Sequence, residues 1–285
     1  MADVELVVDC ACELGEGVLW HVLDRCIYWT DIDCGKLFRY DPVRGICLQV
    51  YAGHPVGGFT IQRDGALLLF MDRGTVKRWR DGHLTTIIEH IPAEHDTRFN
   101  DVIADPRGRV FCGTMSSSEH PGRLYRLDPP ARLKLLLEGL GCPNGLGFTP
   151  DRKHLYFTDS LPRKIYLFDY DEDDGAISNQ RVFVDTSKDE GLPDGMTVDS
   201  LGNVWSAQWD GGCIIRYGPD GRKECYIPVP VRKPTTMAFG GESLTDLYIT
   251  SAGASRRPTE GSGAGALFRV RVDVPGVPEF LSAIG

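Results

Sequence analysis

Basic residues and long apolar runs are both scarce in this sequence. Lys and Arg number 31 against 40 Asp and Glu, so the net charge is −9 at neutral pH. Nucleic-acid phosphates and anionic lipid surfaces are bound by basic patches, so the deficit argues against both as partners. The longest apolar run, residues 66–71, is far shorter than the about 20 residues of a membrane helix. We therefore expect neither a nucleic-acid nor a membrane partner.

Signals for export and for disulfides are also missing. The first five residues, MADVE, contain no basic cluster ahead of an apolar stretch, so no secretory signal is predicted. The nine cysteines are odd in number and scattered, which is typical of reduced thiols. The one close pair, Cys10 and Cys12, has no second Cys or His pair at zinc-finger spacing. These features predict a cytoplasmic protein without an essential disulfide.

Helical periodicity is absent over any stretch longer than about ten residues, whereas strand signals recur along the whole chain. The sequence contains 33 Gly and 18 Pro, and both are spread evenly. Short apolar strands separated by Gly, Asp and Pro turns repeat in one pattern, often followed by a third strand such as Gly122–Asp128. The repeats begin near residues 15, 57, 100, 144, 194 and 235.

A repeat of three or four antiparallel strands every 40 to 50 residues is typical of propeller blades. Six repeats predict an all-β, six-bladed β-propeller with a central channel, formed by residues 1–285 as one domain. The strand at residues 4–8 has no blade of its own. We expect it to pair in the last blade and close the ring, which would remove an open sheet edge.

The first strand of each blade lines the channel, so equivalent positions at the starts of these strands should converge on the axis. These positions carry oxygen-bearing side chains and no His or Cys, and they are Glu16, Gly58, Asn100, Asn144, Asp194 and Thr235 or Thr236. Hard divalent cations prefer oxygen ligands, so the pattern predicts a metal site. The alternative is that Asn144-Gly145 and Asp194-Gly195 are simply turn dipeptides.

The sequence resembles the gluconolactonase family, which also contains regucalcin (senescence marker protein), other sugar lactonases and luciferin-regenerating enzymes. The resemblance covers essentially the whole chain. The motifs that carry it are Leu14-Gly15-Glu16-Gly17, Arg98-Phe99-Asn100-Asp101, Gly113-Thr114-Met115, Pro143-Asn144-Gly145, Pro193-Asp194-Gly195 and Lys233-Pro234-Thr235.

The resemblance implies a metal-dependent hydrolase of sugar (aldono) lactones. It implies one divalent cation held by Glu16, Asn144 and Asp194. Because family members accept calcium, zinc, manganese or iron, the resemblance does not identify the metal, and calcium is our first candidate. It also implies that Asp194 assists the attack of water, although a hydroxide on the cation is an alternative base. Arg98 and Asn100 are expected to bind the substrate, and Glu119 is a further candidate for that role.

Each assignment has a simpler alternative. Arg98 could form a surface salt bridge, and Glu119 could be an exposed loop carboxylate. Trp20 and Trp205 are expected in the core, whereas Trp209 could pack or could line the pocket against a sugar ring. For the whole protein, the alternatives are a non-catalytic calcium-binding propeller, a scaffold for partner proteins, and a hydrolase of aryl esters or organophosphates.

Overall fold

The computed structural model describes residues 3–285. Within them the chain is mostly β-strand, with two 3-10 turns (Pro92–Glu94 and Ala254–Arg256) and one short helix, α1 (Arg257–Glu260). The strands are, in chain order, β1 (Glu5–Val8), β2 (Gly15–His21), β3 (Cys26–Asp31), β4 (Lys36–Asp41), β5 (Ile46–Ala52), β6 (Val56–Ile61), β7 (Leu67–Met71), β8 (Val76–Arg80), β9 (His83–Ile88), β10 (Phe99–Ala104), β11 (Val110–Thr114), β12 (Gly122–Asp128), β13 (Arg132–Leu140), β14 (Pro143–Phe148), β15 (His154–Asp159), β16 (Lys164–Tyr170), β17 (Ile177–Asp185), β18 (Leu192–Val198), β19 (Val204–Trp209), β20 (Cys213–Tyr217), β21 (Lys223–Pro228), β22 (Pro234–Gly240), β23 (Asp246–Ser251) and β24 (Leu267–Arg271).

These strands form six antiparallel sheets of four strands each. Five sheets use four consecutive strands, from β2–β5 to β18–β21. The sixth combines both ends of the chain, because β1 pairs with β24 beside β23 and β22. The inner strands β2, β6, β10, β14, β18 and β22 contact one another in a closed ring. The predicted six-bladed β-propeller is therefore confirmed, and each inner strand starts within two residues of the repeat positions.

Each boundary between neighbouring blades has its own hydrophobic core. Large aromatic side chains dominate these cores. Phe70 of β7, for example, meets Phe99 of β10 edge to face, with 5.2 Å between ring centroids. Trp20 and Trp205 are 8% and 1% exposed, which confirms that both pack in the core. Burial of such a side chain stabilises the fold by about 1.5–3 kcal/mol, so the six cores hold the axis-facing residues on a rigid ring.

The segment after β24, residues 272–285, crosses the base of the propeller. Gly276 bridges to Asp199, and Ser282 bridges to Gln62. The Ala283 N–H donates to the Gly108 carbonyl at 2.8 Å. These partners lie just beyond the carboxyl ends of three inner strands, so the segment ties several blades together at one end of the channel. The repeat pattern gave no indication of this element.

The expectations about membrane helices and disulfides can be compared with the structure. No helix in residues 3–285 is long and apolar enough to cross a membrane. All nine cysteines are unpaired, and five of them are exposed or only partly buried.

Candidate active site

Polar side chains from four inner strands meet at the end of the channel opposite the C-terminal segment. Glu16 (β2), Asn100 (β10), Asn144 (β14) and Asp194 (β18) each lie at the second or third position of their strand and are only 4–6% exposed. Together with Arg98 they border a cavity of about 200 Å³. The structure thus brings together the residues that share one phase of the repeat.

A β-bulge accompanies the site residue in each of these strands. The pairing register with the second strand shifts between Glu16 and Leu19, and the same shift recurs in β10, β14 and β18. A bulge bends the strand and changes the direction of a side chain. It thereby accounts for polar side chains that face the channel from strands whose other residues pack between the blades.

The glycines after two of the site residues are required by crowding at the axis. A Cβ on Gly145 would lie 2.6 Å from the Met196 backbone nitrogen, and one on Gly195 would lie 2.2 Å from Thr236 Oγ1. Both glycines lie inside strands, β14 and β18. The alternative that Asn144-Gly145 and Asp194-Gly195 are turn dipeptides is therefore wrong, and their glycines allow neighbouring blades to approach closely.

A chain of hydrogen bonds orients the two amides. Arg98 Nη1 donates to Asn100 Oδ1 at 2.7 Å. Asn100 Nδ2 donates to the Pro143 carbonyl at 2.8 Å and to Asn144 Oδ1 at 3.0 Å. Because a guanidinium can only donate and a carbonyl can only accept, these contacts determine which way the Asn100 amide faces.

The same chain continues into the next blade. Asn144 Nδ2 donates to Ser160 Oγ at 3.0 Å, and the Ser160 hydroxyl donates to the Pro193 carbonyl at 2.6 Å. Asn144 Oδ1 therefore faces Asn100 and keeps a second lone pair free. That oxygen is the one that a cation between the strands would need.

Burial governs the ionisation of the two site carboxyl groups. Burial raises the pKa of Glu16 well above its usual value, and the nearby Asp194 carboxylate raises it further. Burial likewise raises the pKa of Asp194, helped by the charge of Asp101. The pKa of Asp101 itself is raised to about 7 by burial, against the opposing effect of Arg98. Three carboxyl groups thus share a region with one guanidinium.

This donor set fits a hard divalent cation. Glu16 and Asp194 provide carboxylate oxygens and Asn144 an amide oxygen, which are ligands that calcium accepts. Arg98 is the only cationic side chain among the residues in 3–285 that border the cavity, and burial lowers its pKa. A cation at this point would remove the cost of ionising two buried carboxyl groups side by side.

The other predicted positions lie apart from this set. Gly58 has no side chain, and Thr235 Oγ1 donates to the Gly15 carbonyl at 2.5 Å, which is a structural contact. Glu119 is exposed on the loop after β11, with its Oε2 3.5 Å from His95 Nε2, and it does not border the cavity. Its role in substrate binding remains a prediction.

Two residues of the site, Ser160 and Cys142, border the cavity although they carried little signal in the sequence. Met115, which also borders the cavity, and Asp101, which lies in the channel below it, both belong to the family motifs. Ser160 directly follows β15, at the same end as the site residues of the inner strands. A systematic reading of the residues after each second strand would have found it. Trp209, which the sequence offered as a residue of the pocket wall, also borders the cavity.

Comparison with known proteins is consistent with this geometry. Residues 14–253 match the family described as the SMP-30/Gluconolactonase/LRE-like region. The chain belongs to this family. The family predicted from the motifs is therefore confirmed.

Two relatives and one solved structure illustrate the range of similar proteins. A pentonolactonase of Haloferax volcanii is 48% identical, over 99% of this chain and 98% of that protein. A 6-deoxy-6-sulfogluconolactonase of Pseudomonas putida is 36% identical, over 95% of each chain. The crystal structure of a calcium-binding protein, regucalcin, from Agrobacterium tumefaciens superposes with a TM-score of 0.92, covering 99% of this chain and 98% of that one. At 24% identity, the last comparison supports the fold alone.

Proposed function

We propose that this protein hydrolyses a sugar (aldono) lactone to the aldonic acid and that it uses one divalent cation. The observation that carries the proposal is the meeting of Glu16, Asn144 and Asp194 beside Arg98 and Asn100 at one cavity. The lactonases among the relatives of this chain support the same class of reaction.

Glu16, Asn144 and Asp194 would hold the cation, with calcium the first candidate because all three ligands offer oxygen. When bound, the cation supplies Lewis-acid polarisation of the lactone carbonyl. Asn144 is suited to holding the cation because Asn100 and Ser160 already fix its amide, so its oxygen needs no reorientation when the cation binds.

Asp194 would act as the base. Water adds to the carbonyl carbon and passes a proton to the Asp194 carboxylate. The ring C–O bond then breaks, and the ring oxygen takes that proton to become a hydroxyl of the product. Burial raises the pKa of Asp194, which strengthens the carboxylate as a base, whereas a neighbouring cation lowers the pKa and keeps the group ionised.

Arg98 and Asn100 would orient the ring. Arg98 uses Nη1 for Asn100 Oδ1 and the Phe99 carbonyl, which leaves other N–H groups of its guanidinium for substrate hydroxyls. The cavity of about 200 Å³ is below the about 300–1,000 Å³ typical of sites for drug-sized ligands, so it suits one small ring.

A cytoplasmic location is part of the proposal. It rests on nine cysteines that are all unpaired, which suits a reducing compartment. Fractionation of the source cells with an antibody against the protein would test it, and recovery outside the cytoplasmic fraction would contradict it.

The experiment for the function is a pH-stat assay of five- and six-carbon aldonolactones with protein that has been stripped of metal and reloaded with single divalent ions. We expect turnover to require the added ion and Asp194→Asn to abolish it while the protein stays folded. The matched control is Asp81→Asn, an exposed aspartate far from the channel, which should keep wild-type turnover.

The outcome also separates the alternatives. Calcium binding without turnover of any lactone would indicate a regulatory calcium-binding protein. Faster turnover of an aryl ester or an organophosphate than of any aldonolactone would indicate a different hydrolase. Wild-type turnover by Asp194→Asn would remove this residue from the mechanism.

A further inference from the structure

Trp209 forms part of the cavity wall. It is the last residue of β19, at the same end of its blade as the site residues, and it is half-buried. It borders the cavity that Glu16, Arg98 and Asp194 also border. Its position leaves part of the indole available to whatever occupies that cavity.

A buried lysine supports the indole. Lys233 Nζ lies 5.4 Å from the centre of the Trp209 ring. The same ammonium is 2.6 Å from Glu260 Oε1 and 2.8 Å from Asp210 Oδ1. The Lys233 side chain is only 8% exposed and does not border the cavity. Lys233 therefore does not cover the surface of the Trp209 indole that faces the cavity.

The partners of Lys233 come from two separate parts of the chain. Asp210 directly follows Trp209 and has a φ of 61°, a left-handed conformation that is uncommon for residues other than glycine. Glu260 ends α1, in the Gly-rich stretch between β23 and β24, and is 5% exposed. Glu260 thus connects this stretch to Lys233 through a buried ion pair.

The cavity has an apolar side and a polar side. Met115, Leu161, Leu192 and Trp209 contribute apolar surface, and other lining residues are polar, among them Arg98. A sugar ring has the same division, with hydroxyl groups around its rim and C–H bonds on its faces. An aromatic face is the usual partner for such C–H bonds, because its surface is large, apolar and electron-rich.

We propose that Trp209 is the platform on which the C–H face of the lactone ring packs and that Lys233, with Asp210 and Glu260, is the positioning group that fixes the indole. The two carboxylates balance the charges of Lys233 and of Arg232, whose Nε lies 2.9 Å from Asp210 Oδ1, and this limits the pull of the ammonium on the π electrons of the ring. This inference rests on the proposed lactonase function and adds to it a specificity element that is separate from the cation and the hydroxyl contacts.

The first test compares substrates. Trp209→Leu should lower kcat/KM about 10- to 50-fold, chiefly through KM, for both a polyhydroxylated aldonolactone and a lactone without ring hydroxyls. Trp209→Phe keeps an aromatic face and should stay within about 3-fold of wild type. The matched control is Trp79→Phe, on β8 of another blade, which should change neither constant. A loss confined to kcat, or none with Trp209→Leu, would overturn the proposal.

The second test addresses the positioning group. Lys233→Met alone would leave Glu260 buried without its cation, so the double variant Lys233→Met/Glu260→Gln is the better probe. We expect it to raise KM with kcat retained. We also expect it to shift the fluorescence emission of Trp209 to longer wavelength, as isolated by subtraction of the matching variant with Trp209→Phe. Unchanged KM and unchanged emission would show that Lys233 has no part in placing the ring.

A direct binding measurement separates this proposal from the proposed function. A cyclic sugar that cannot be hydrolysed, such as 1,5-anhydroglucitol, should quench the fluorescence of wild type and of Trp79→Phe, but not that of Trp209→Phe. If the wild type hydrolyses no lactone yet shows this quenching, the lactonase proposal fails and the sugar platform stands. If lactones are hydrolysed but quenching is equal in all three proteins, the platform is wrong and the lactonase proposal stands.

Discussion

Arg98 is the residue through which the substrate side and the ligand side of the site are connected. Its Nη1 holds Asn100, which in turn holds the amide oxygen of Asn144. A guanidinium has no lone pair to donate and repels a cation, so Arg98 itself is not a ligand. The residue can therefore affect catalysis without taking part in cation binding.

Arg98→Ala tests that separation. We expect calcium affinity to be unchanged or slightly higher, while kcat/KM on a polyhydroxylated lactone falls about 10- to 150-fold, the value of a charged hydrogen bond of about 1.5–3 kcal/mol. On a lactone without ring hydroxyls the loss should be much smaller, because such a substrate never used the contact. Kinetics on both substrates, with calcium titrated by calorimetry, provide the measurement.

Two results would contradict this role. Equal losses on both lactones would mean that Arg98 acts on the carbonyl or on the fold. A collapse of calcium affinity would mean that its hold on Asn100 is needed to keep Asn144 in place. Arg98→Lys is the useful comparison, since it keeps the charge but loses the fork of donors.

At the scale of the element, the bulged inner strand is the unit that makes the site. All six inner strands carry a register shift near the start of their pairing with the second strand. The bulge directs one side chain to the axis, and in β14 and β18 a glycine after that residue lets the next blade approach. In these two repeats, a candidate metal ligand and close packing are thus encoded in the same three or four residues.

Gly195→Ala should show how tightly these strands pack. The added Cβ would lie 2.3 Å from Thr236 Cβ and 2.8 Å from Thr236 Cα, so backbone must move. We expect a loss of about 3 kcal/mol in the free energy of unfolding, together with weaker calcium binding, since Asp194 is adjacent. Urea denaturation and a calcium titration would measure the two effects.

Gly82→Ala is the control for backbone strain without crowding. Gly82 has a φ of 84°, and nothing lies within 4 Å of its added Cβ, so only the left-handed conformation is penalised, by about 1–2 kcal/mol. Calcium affinity should not change in this variant. If Gly195→Ala were no more harmful than Gly82→Ala, the crowding argument would be refuted.

At the scale of the whole molecule, the channel contains carboxyl groups at several levels. Glu16 and Asp194 lie at the site, Asp101 lies below them, and Glu279 of the C-terminal segment lines the channel farther down. Burial raises the pKa of Glu279 to about 7, and the structure of residues 3–285 shows no ion pair for it. The ring closure that builds the site therefore also collects buried carboxyl groups along its axis.

The metal-free protein should lose stability as the pH rises. Between about pH 4, where unfolded carboxyl groups ionise, and about pH 7, the raised pKa values of Asp101 and Glu279 keep protons on the folded chain that the unfolded chain has lost. The folded state then binds more protons, so the free energy of unfolding falls with increasing pH. Thermal unfolding from pH 4 to 8, with and without calcium, would show it.

Glu279→Gln tests whether part of the pH dependence of stability arises at the base of the channel and not at the cation site. The variant should flatten the pH profile and be more stable than wild type above pH 7 by the same amount with and without calcium, because Glu279 does not border the cavity of the candidate ligands. The control Glu89→Gln, at an exposed residue, should follow the wild-type profile. If calcium abolished the difference in stability between the variant and wild type, Glu279 would have to lie within reach of the cation.

Much of the architecture could be predicted from the sequence because its causes are local. Turn residues, strand alternation and the repeat length act over a few residues each, and together they identify six blades and the phase that faces the axis. That phase includes Glu16, Asn100, Asn144 and Asp194, and the resemblance to the lactonase family separates them from Gly58 and Thr235, which share the phase. The turn reading of Asn144-Gly145 failed because a short dipeptide cannot reveal that a neighbouring strand, rather than solvent, lies against it.

Contacts between blades that are distant in sequence were decided only by the tertiary structure. Lys233 reaches Trp209 and Glu260, Ser160 supports Asn144, and Glu279 returns to the channel across the base. Closure of the ring brings these residues together, and its geometry depends on six separate cores packing at once, which no local pattern of residues encodes. The sequence by itself determined which side chains face the axis, and the closed ring determined what each of them touches.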